Sequence, residues 1–157
     1  MKWFKSLHRK TMNLICLSQQ ERLLLVQAFI LLPTIAFSLQ IWGMQRTQTV
    51  LFDLSAKTLL SMPSSSEVQH QIKQTAFLVE KAAHHSRLWS NCLRKSLVLW
   101  FLLRRRGVIS ELRIGVRREN AKFQAHAWVE YQGIVLNDLP NVRDQFVMFE
   151  SSIEAIN

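Results

Sequence analysis

Four glycines and three prolines in 157 residues leave little material for loops, and a single tyrosine beside nine phenylalanines and five tryptophans makes the aromatic content strongly apolar. The first shortage excludes a collagen-like or low-complexity chain, and the 48% apolar share that accompanies it excludes a disordered one. What remains at this length is long regular elements around one core. Two cysteines, Cys16 and Cys92, are too few for a secreted disulfide scaffold and lack the close Cys or His spacing of a zinc site. Two free thiols in a reducing, cytoplasmic compartment are therefore expected. His8, His70, His84, His85 and His126 offer no ligand spacing either, because the adjacent pair 84 and 85 cannot share a helix face. No metal is expected.

Acidic side chains are scarce. Eleven Asp and Glu against twenty Lys and Arg leave +9, divided as seven minus two (+5) over residues 1–60 and thirteen minus nine (+4) over 61–157. Such an excess suits nucleic acid, an anionic membrane surface or an acidic peptide, and by itself selects none of them. No aromatic-basic RNA motif, zinc finger or helix-turn-helix signature supports nucleic acid. No phosphate-cradling glycine-rich motif points to a nucleotide cofactor.

Between Arg22 and Arg46 charge is missing altogether, and that run exceeds the roughly 20 residues that cross a bilayer. Against a spanning helix stand Gln27, Pro33, Ser38 and Gln40 inside it, and Ser18-Gln19-Gln20-Glu21 before it, the capping box of a soluble helix. The preferred reading is a buried helical pair broken near Pro33, filling an N-terminal helical region over 1–60, with membrane association as the lesser alternative. A signal peptide fits worse, because no small-residue cleavage site follows and Glu21-Arg22 interrupts the approach.

A second region, 61–157, opens on the linker Ser61-Met62-Pro63-Ser64-Ser65-Ser66-Glu67, whose Ser64 and Glu67 form another capping box. Val68, Ile72, Ala76, Val79 and Ala83 then predict a helix to about His85. The next helix is predicted from Cys92 to Arg106, with Ser90 or Asn91 as N-cap and Gly107 just past its end. Its Leu97 to Leu103 stretch is apolar all round, which places it at the centre of the protein. After Gly107 the period changes to two. Leu112, Ile114 and Val116 alternate with charged residues, and Phe123, Ala125, Ala127, Val129 and Tyr131 form a core face opposite Gln124, His126, Trp128 and Glu130. Gln132-Gly133 marks a turn into Ile134-Val135-Leu136, and Phe146 to Phe149 supply a last strand. The fold class is α+β: N-terminal helices, then a central helix carrying a cysteine and an antiparallel sheet.

Three residues of this pattern can carry chemistry. Cys92 falls in the first turn of its helix, where unpaired amides, the positive end of the dipole and the nearby Arg94 and Lys95 favour a thiolate. Position alone leaves it either a nucleophile or a buried structural thiol. His126 lies on the strand face that looks away from the core and needs a partner to act as a base. Asp138 supplies one if Tyr131-Gln132-Gly133 is a three-residue hairpin loop, because Glu130 then pairs with Ile134 and His126 faces Asp138. A two-residue loop would set Asp138 opposite Ala127 and make Asn137 the competing orienting residue.

The segments Cys92-Leu93, Ser96-Leu97, Leu102 to Gly107 (LLRRRG), Leu112 to Arg117 (LRIGVR) and Phe123 to Glu130 (FQAHAWVE) together resemble the transglutaminase-like domain of lasso peptide leader peptidases, over residues 64–140 or so. The resemblance implies a papain- or transglutaminase-like core with a Cys92, His126, Asp138 triad that cleaves the leader from a ribosomally made precursor peptide. It implies three partners: the precursor, a separate leader-recognition protein and a lasso macrocyclase. Residues 1–60 lack the strand pattern of a winged-helix recognition domain, so the stand-alone form of these B proteins is the one expected. Any ATP used during maturation is then the cyclase's.

Two rivals stay open. The same triad transfers an acyl group to an amine in transglutaminases, and a basic non-catalytic binding module would use Arg104-Arg105-Arg106 as its grip, although cations at a helix end also serve to offset the dipole.

Overall fold

A computed structural model of the chain describes residues 17–56, 65–119 and 122–148. Cys16, His8 and the Ser64 half of the second capping box lie outside them, as does Phe149 at the end of the last expected strand.

Helix α1, Gln19–Ala56, begins as its sequence requires. The Glu21 amide donates to Ser18 Oγ (3.2 Å) and the Ser18 amide to Glu21 Oε2 (2.8 Å), a complete capping box. The hydrogen bond from the Ser18 backbone, followed by one from Gln74, holds the Glu21 carboxyl below its ordinary range. The expected break near Pro33 does not occur. The helix runs through Pro33 and turns at Gly43, whose φ of 75° and ψ of −178° leave the helical region. Proline removes only one backbone bond, and around it Leu32, Ile35 and Ala36 are locked in the core; Gly43 alone in the run adopts a left-handed φ without strain.

Nor is α1 buried on all sides. Leu24, Leu25, Ala28, Leu32 and Ile35 enter the core, whereas Leu23, Val26, Ile30, Phe37 and Ile41 occupy the opposite arc and are exposed. Its apolar window is long enough to cross a membrane by length and composition, and 28% of that window is buried. The expected buried pair therefore describes one face of the helix only.

Helix α2, Ser65–His85, lays Val68, Ile72, Val79 and Ala83 inward, as its three- and four-residue spacing predicts. Helix α3, Cys92–Arg105, is the centre: every side chain from Ser96 to Leu103 is buried, and α1, α2 and two strands pack around it. Its ends are fixed locally. Asn91 Oδ1 accepts from the Arg94 amide at 2.9 Å, and at the far end Gly107, at φ 78°, lets its own amide reach Arg104 O and that of Val108 reach Leu103 O, both at 3.0 Å.

The three arginines that close α3 do not form a free basic patch. Arg104 Nε donates to Ser55 Oγ (3.2 Å) with its guanidinium over the rings of Phe52 and Trp100, and Arg106 Nη1 donates to Gln74 Oε1 (3.1 Å) and Thr75 Oγ1 (3.0 Å). Two of the three thus tie α3 to α1 and α2, and Arg105 lies over Phe101.

The sheet follows: β1 Glu111–Glu119, β2 Lys122–Tyr131, β3 Ile134–Val135, then a short helix α4, Val142–Gln145, and β4 Val147–Met148. The strand order is β3-β2-β1-β4, with β1 antiparallel to β2 and to β4, and β2 antiparallel to β3. Mixed helix and antiparallel sheet is the α+β class read from the sequence. One register differs. Tyr131 pairs with Ile134 and Glu130 with Val135, so the hairpin loop is the two-residue Gln132-Gly133, both with positive φ (48° and 79°), and not the three-residue loop expected. A two-residue turn of this primed kind matches strand twist, and glycine at its second position removes the main obstacle to it.

The expected alternation of β2 also fails in part. Phe123 and Ala125 on the nominal core face are exposed, while Ala127, Trp128, Val129 and Glu130 are buried on both faces. The physical reason is coverage: α3 lies on one face of the strand's second half, and the return segment containing Phe146 and Arg143 lies on the other.

Candidate active site

Cys92 is the first residue of α3 and a half-buried free thiol. The helix and its cap use the Arg94 amide, through Asn91 Oδ1, and the Lys95 amide, through Asn91 O. Cys92 and Leu93 are the first two residues of α3, whose amides the helix itself provides with no acceptor, at the positive end of the dipole. Of the two cations expected to assist, Lys95 is instead paired with Glu80 of α2 at 2.8 Å.

His126 and Asp138 are brought together. His126 Nε2 meets Asp138 Oδ2 at 2.5 Å, with both side chains about three-quarters buried. The strand register that motivated this contact is absent, and the contact forms by another route. After Val135 the chain leaves the sheet: Leu136 keeps one bond, its amide to Val129 O (2.9 Å), and Asn137 turns its side chain in. Asn137 Oδ1 accepts from the Val129 amide (2.8 Å), taking the place a strand carbonyl would hold, and the next residue swings Asp138 across to His126. Asp138 also closes a local turn, its Oδ1 accepting from the Leu139 amide at 2.7 Å.

Asn137, read from sequence as a competitor for the imidazole, does something else. Its Nδ2 donates to Ser96 Oγ (2.9 Å), whose hydroxyl donates to Ala127 O (2.9 Å). Ser96 is one helical turn beyond Cys92 and Ala127 is the neighbour of His126, so this buried chain of bonds fixes the helix of the thiol against the strand of the imidazole.

Two aromatic rings, themselves in contact, pack against His126 as well. Phe146 stacks on it with centroids 5.0 Å apart and 29° between planes, and Trp128 at 6.1 Å and 26°. Gly115 pairs with His126 across the strands, and a Cβ there would stand 2.9 Å from Phe146 Cβ and 3.0 Å from Trp128 Cη2. Glycine leaves the space those two rings occupy.

Beneath them lies Glu130, 1% exposed. Its Oε1 accepts from Trp128 Nε1 and Arg143 Nε, each at 2.7 Å, and its Oε2 from Arg143 Nη2 (2.5 Å) and Arg113 Nε (3.4 Å). Burial pushes this carboxyl up, but the bonds from Arg143 and Trp128 and the charges of Arg143 and Arg113 together outweigh it and hold it below its ordinary value. The same pairing raises Arg143, with the hydrogen bond to Glu130 as the largest cause.

Sequence reasoning singled out Cys92, His126 and Asp138 and missed Ser96, Glu130, Arg143, Phe146 and the bridging role of Asn137. A glycine inside a strand pattern, Gly115, was a signal of close approach. Nothing in the alternation distinguishes Glu130 from a solvated residue. Among the described residues no group of three His, Cys, Asp or Glu side chains is arranged to hold a metal ion.

The chain is 32% identical over 104 residues to the microcin J25-processing protein McjB of Escherichia coli, a stretch that covers 66% of this chain and 49% of that protein. The chain thus spans about half the length of this curated relative. No solved structure matches it significantly. The sequence model of the transglutaminase-like superfamily matches residues 34–151, a range that takes in the second half of α1, the central helix with Cys92, the whole sheet and the Asp138 loop; on that match the chain belongs to the transglutaminase-like superfamily.

Proposed function

We propose that this protein is a cysteine peptidase that removes the leader from a lasso precursor peptide, with Cys92 as nucleophile, His126 as general base and acid, and Asp138 as the group that orients His126. The observation that carries the reading is the 2.5 Å contact between His126 Nε2 and Asp138 Oδ2, on a strand bonded to the helix that begins at Cys92. The identity to a microcin J25-processing protein supports the substrate class.

Because Asp138 occupies Nε2, the proton is exchanged at Nδ1. Cys92 Sγ, as thiolate, adds to the scissile carbonyl carbon, and the developing oxyanion is received by the Cys92 amide, with the Leu93 amide beside it. His126 Nδ1 gives its proton to the departing amine, and the C–N bond breaks to leave a thioester on Cys92. Water then surrenders a proton to Nδ1 and its oxygen attacks the thioester, freeing the leader's carboxylate and the thiolate. The freed core peptide presents a new amino terminus to a macrocyclase. A separate recognition protein delivers the leader, and the reaction itself calls on no cofactor. A reducing, cytoplasmic setting keeps Cys92 reduced.

Incubating the protein with a candidate precursor and its recognition protein, and following peptide mass, tests this. Cleavage at one bond that is lost in Cys92→Ala is the expected result. Cleavage intact in that variant would sink the nucleophile assignment, and a product joined to an added amine would move the reaction to acyl transfer.

A further inference from the structure

We infer that Glu130 is the positioning residue of the site: one buried carboxylate that holds, through Arg143 and Trp128, both the Asp138 loop and the ring stack against His126. The inference rests on the peptidase reading for its meaning, but its geometry is independent of it.

Asp138 and Phe146 reach His126 from a single return segment, residues 136–146, which is anchored in the sheet by Ile134–Val135 before it and Val147–Met148 after it. Between those two anchors, four backbone–backbone bonds organise the segment or tie Leu136 to β2, and at its start Asn137 Oδ1 also accepts from the Val129 amide. The strong tie from its middle to the strand is Arg143 of α4, which meets both oxygens of Glu130 in a bidentate pair at 2.7 and 2.5 Å. Arg143 stands between Asp138 and Phe146 in the chain, so this clamp holds the stretch that joins them, while Asn137 holds the start of the segment.

The second arm acts on the ring stack directly. Glu130 Oε1 accepts from the indole N–H of Trp128, two residues along on the same strand face, and two residues beyond Trp128 on that face is His126. The indole is thereby fixed in its plane, at 26° to the imidazole. A carboxylate buried to 99% requires partners on nearly all its lone pairs, and Glu130 has them from three side chains on three elements: Arg113 on β1, Trp128 on β2 and Arg143 on α4. An ordinary structural ion pair would not join, in one residue, the support of the imidazole face and of the carboxylate at its edge.

Arg143→Met tests this, with folding verified by circular dichroism because the change removes two of the four bonds to a buried carboxylate and leaves those from Arg113 and Trp128. Two readouts are taken on the full chain. The first is the His126 Nε2–H proton signal by NMR, which a hydrogen bond to Asp138 holds in slow exchange. The second is leader cleavage, split into kcat and KM. The expected result is loss or broadening of that signal in a folded variant, with kcat falling between about tenfold and about a hundredfold, the range that misplacement of up to about 1 Å costs, and KM little changed. Arg143→Lys, which can still bond one oxygen, should recover part of both. Trp128→Phe, which keeps a ring but no N–H, supplies a second variant and should lower kcat in the same way. A His126 signal unchanged in Arg143→Met, or kcat within about twofold of the parent, overturns the inference. The two failures are separable: cleavage that survives Cys92→Ala removes the peptidase reading whatever the NMR shows, and an unmoved His126 signal removes the positioning role while the peptidase stands.

Discussion

His126 and Asp138 meet at 2.5 Å although they are not partners in the sheet, and extension of the Tyr131–Ile134 register would have put Asp138 opposite Ala127. The contact exists because Asn137 ends the strand with its side chain and lets the following residue cross over.

On the proposed mechanism, Asp138→Asn should lower kcat on the order of a hundredfold or more, because an amide no longer selects the tautomer with the proton on Nε2. Its melting temperature should stay near that of the parent, since the pair is partly solvent-exposed and such pairs contribute about 1 kcal/mol or less. Cleavage kinetics alongside thermal melting by circular dichroism checks both halves. Full activity in the variant would remove Asp138 from the mechanism.

Asn137→Ala breaks the bridge between α3 and β2 and leaves the buried Ser96 hydroxyl and Val129 amide short of a partner. A loss of about 1–3 kcal/mol is expected for an unsatisfied buried group, read by urea unfolding. Activity under conditions where the variant is still folded should also drop, because the bridge sits one turn from Cys92 and one residue from His126. A variant as active as the parent would show that helix and strand are held well enough without it.

Gly115→Ala places a Cβ 2.9 Å from Phe146 Cβ, 3.0 Å from the Trp128 ring and 3.1 Å from Val147 O. Neither β4 nor the stacked rings can yield without displacing Phe146 from His126. Overpacking of this kind costs about 1–3 kcal/mol. Melting and cleavage should fall together, and an unchanged melting temperature would mean that β4 moves freely.

Acid should reveal Glu130. Its carboxyl is held below its ordinary value of 4.5, so folding stability from this group is complete above that pH and is lost as pH falls through the lowered folded value. Melting curves recorded from pH 7 down to about 3 should therefore fall more steeply below about pH 4.5 in the parent than in Glu130→Gln, which has nothing to protonate there. The opposite order, a steeper acid fall in the variant, would contradict the assigned direction.

The sequence by itself determined helices α2 and α3, the capping box that starts α1, both ends of α3 and its central place. Those features depend on residues within a turn of one another: Ser18 with Glu21, Asn91 with Arg94, Gly107 with Arg104. An all-apolar stretch from Leu97 to Leu103 can be satisfied only by burial on every side. Cys92 at a helix start is legible for the same local reason. Tertiary structure decided the rest. Whether α1 bends at Pro33 or Gly43 depends on which turns the core grips, and the hairpin loop length depends on a difference of one residue in pairing that both alternatives satisfy locally. The fate of the polar face of β2 depended on a segment returning from farther along the chain. Trp128 and Glu130 read as an outward face by alternation, and became an interior because Arg143 and Phe146 came back over them. Asp138 was named from its sequence for a register that does not form, and it reaches His126 because position in space is set by the whole path of the chain and not by strand periodicity alone.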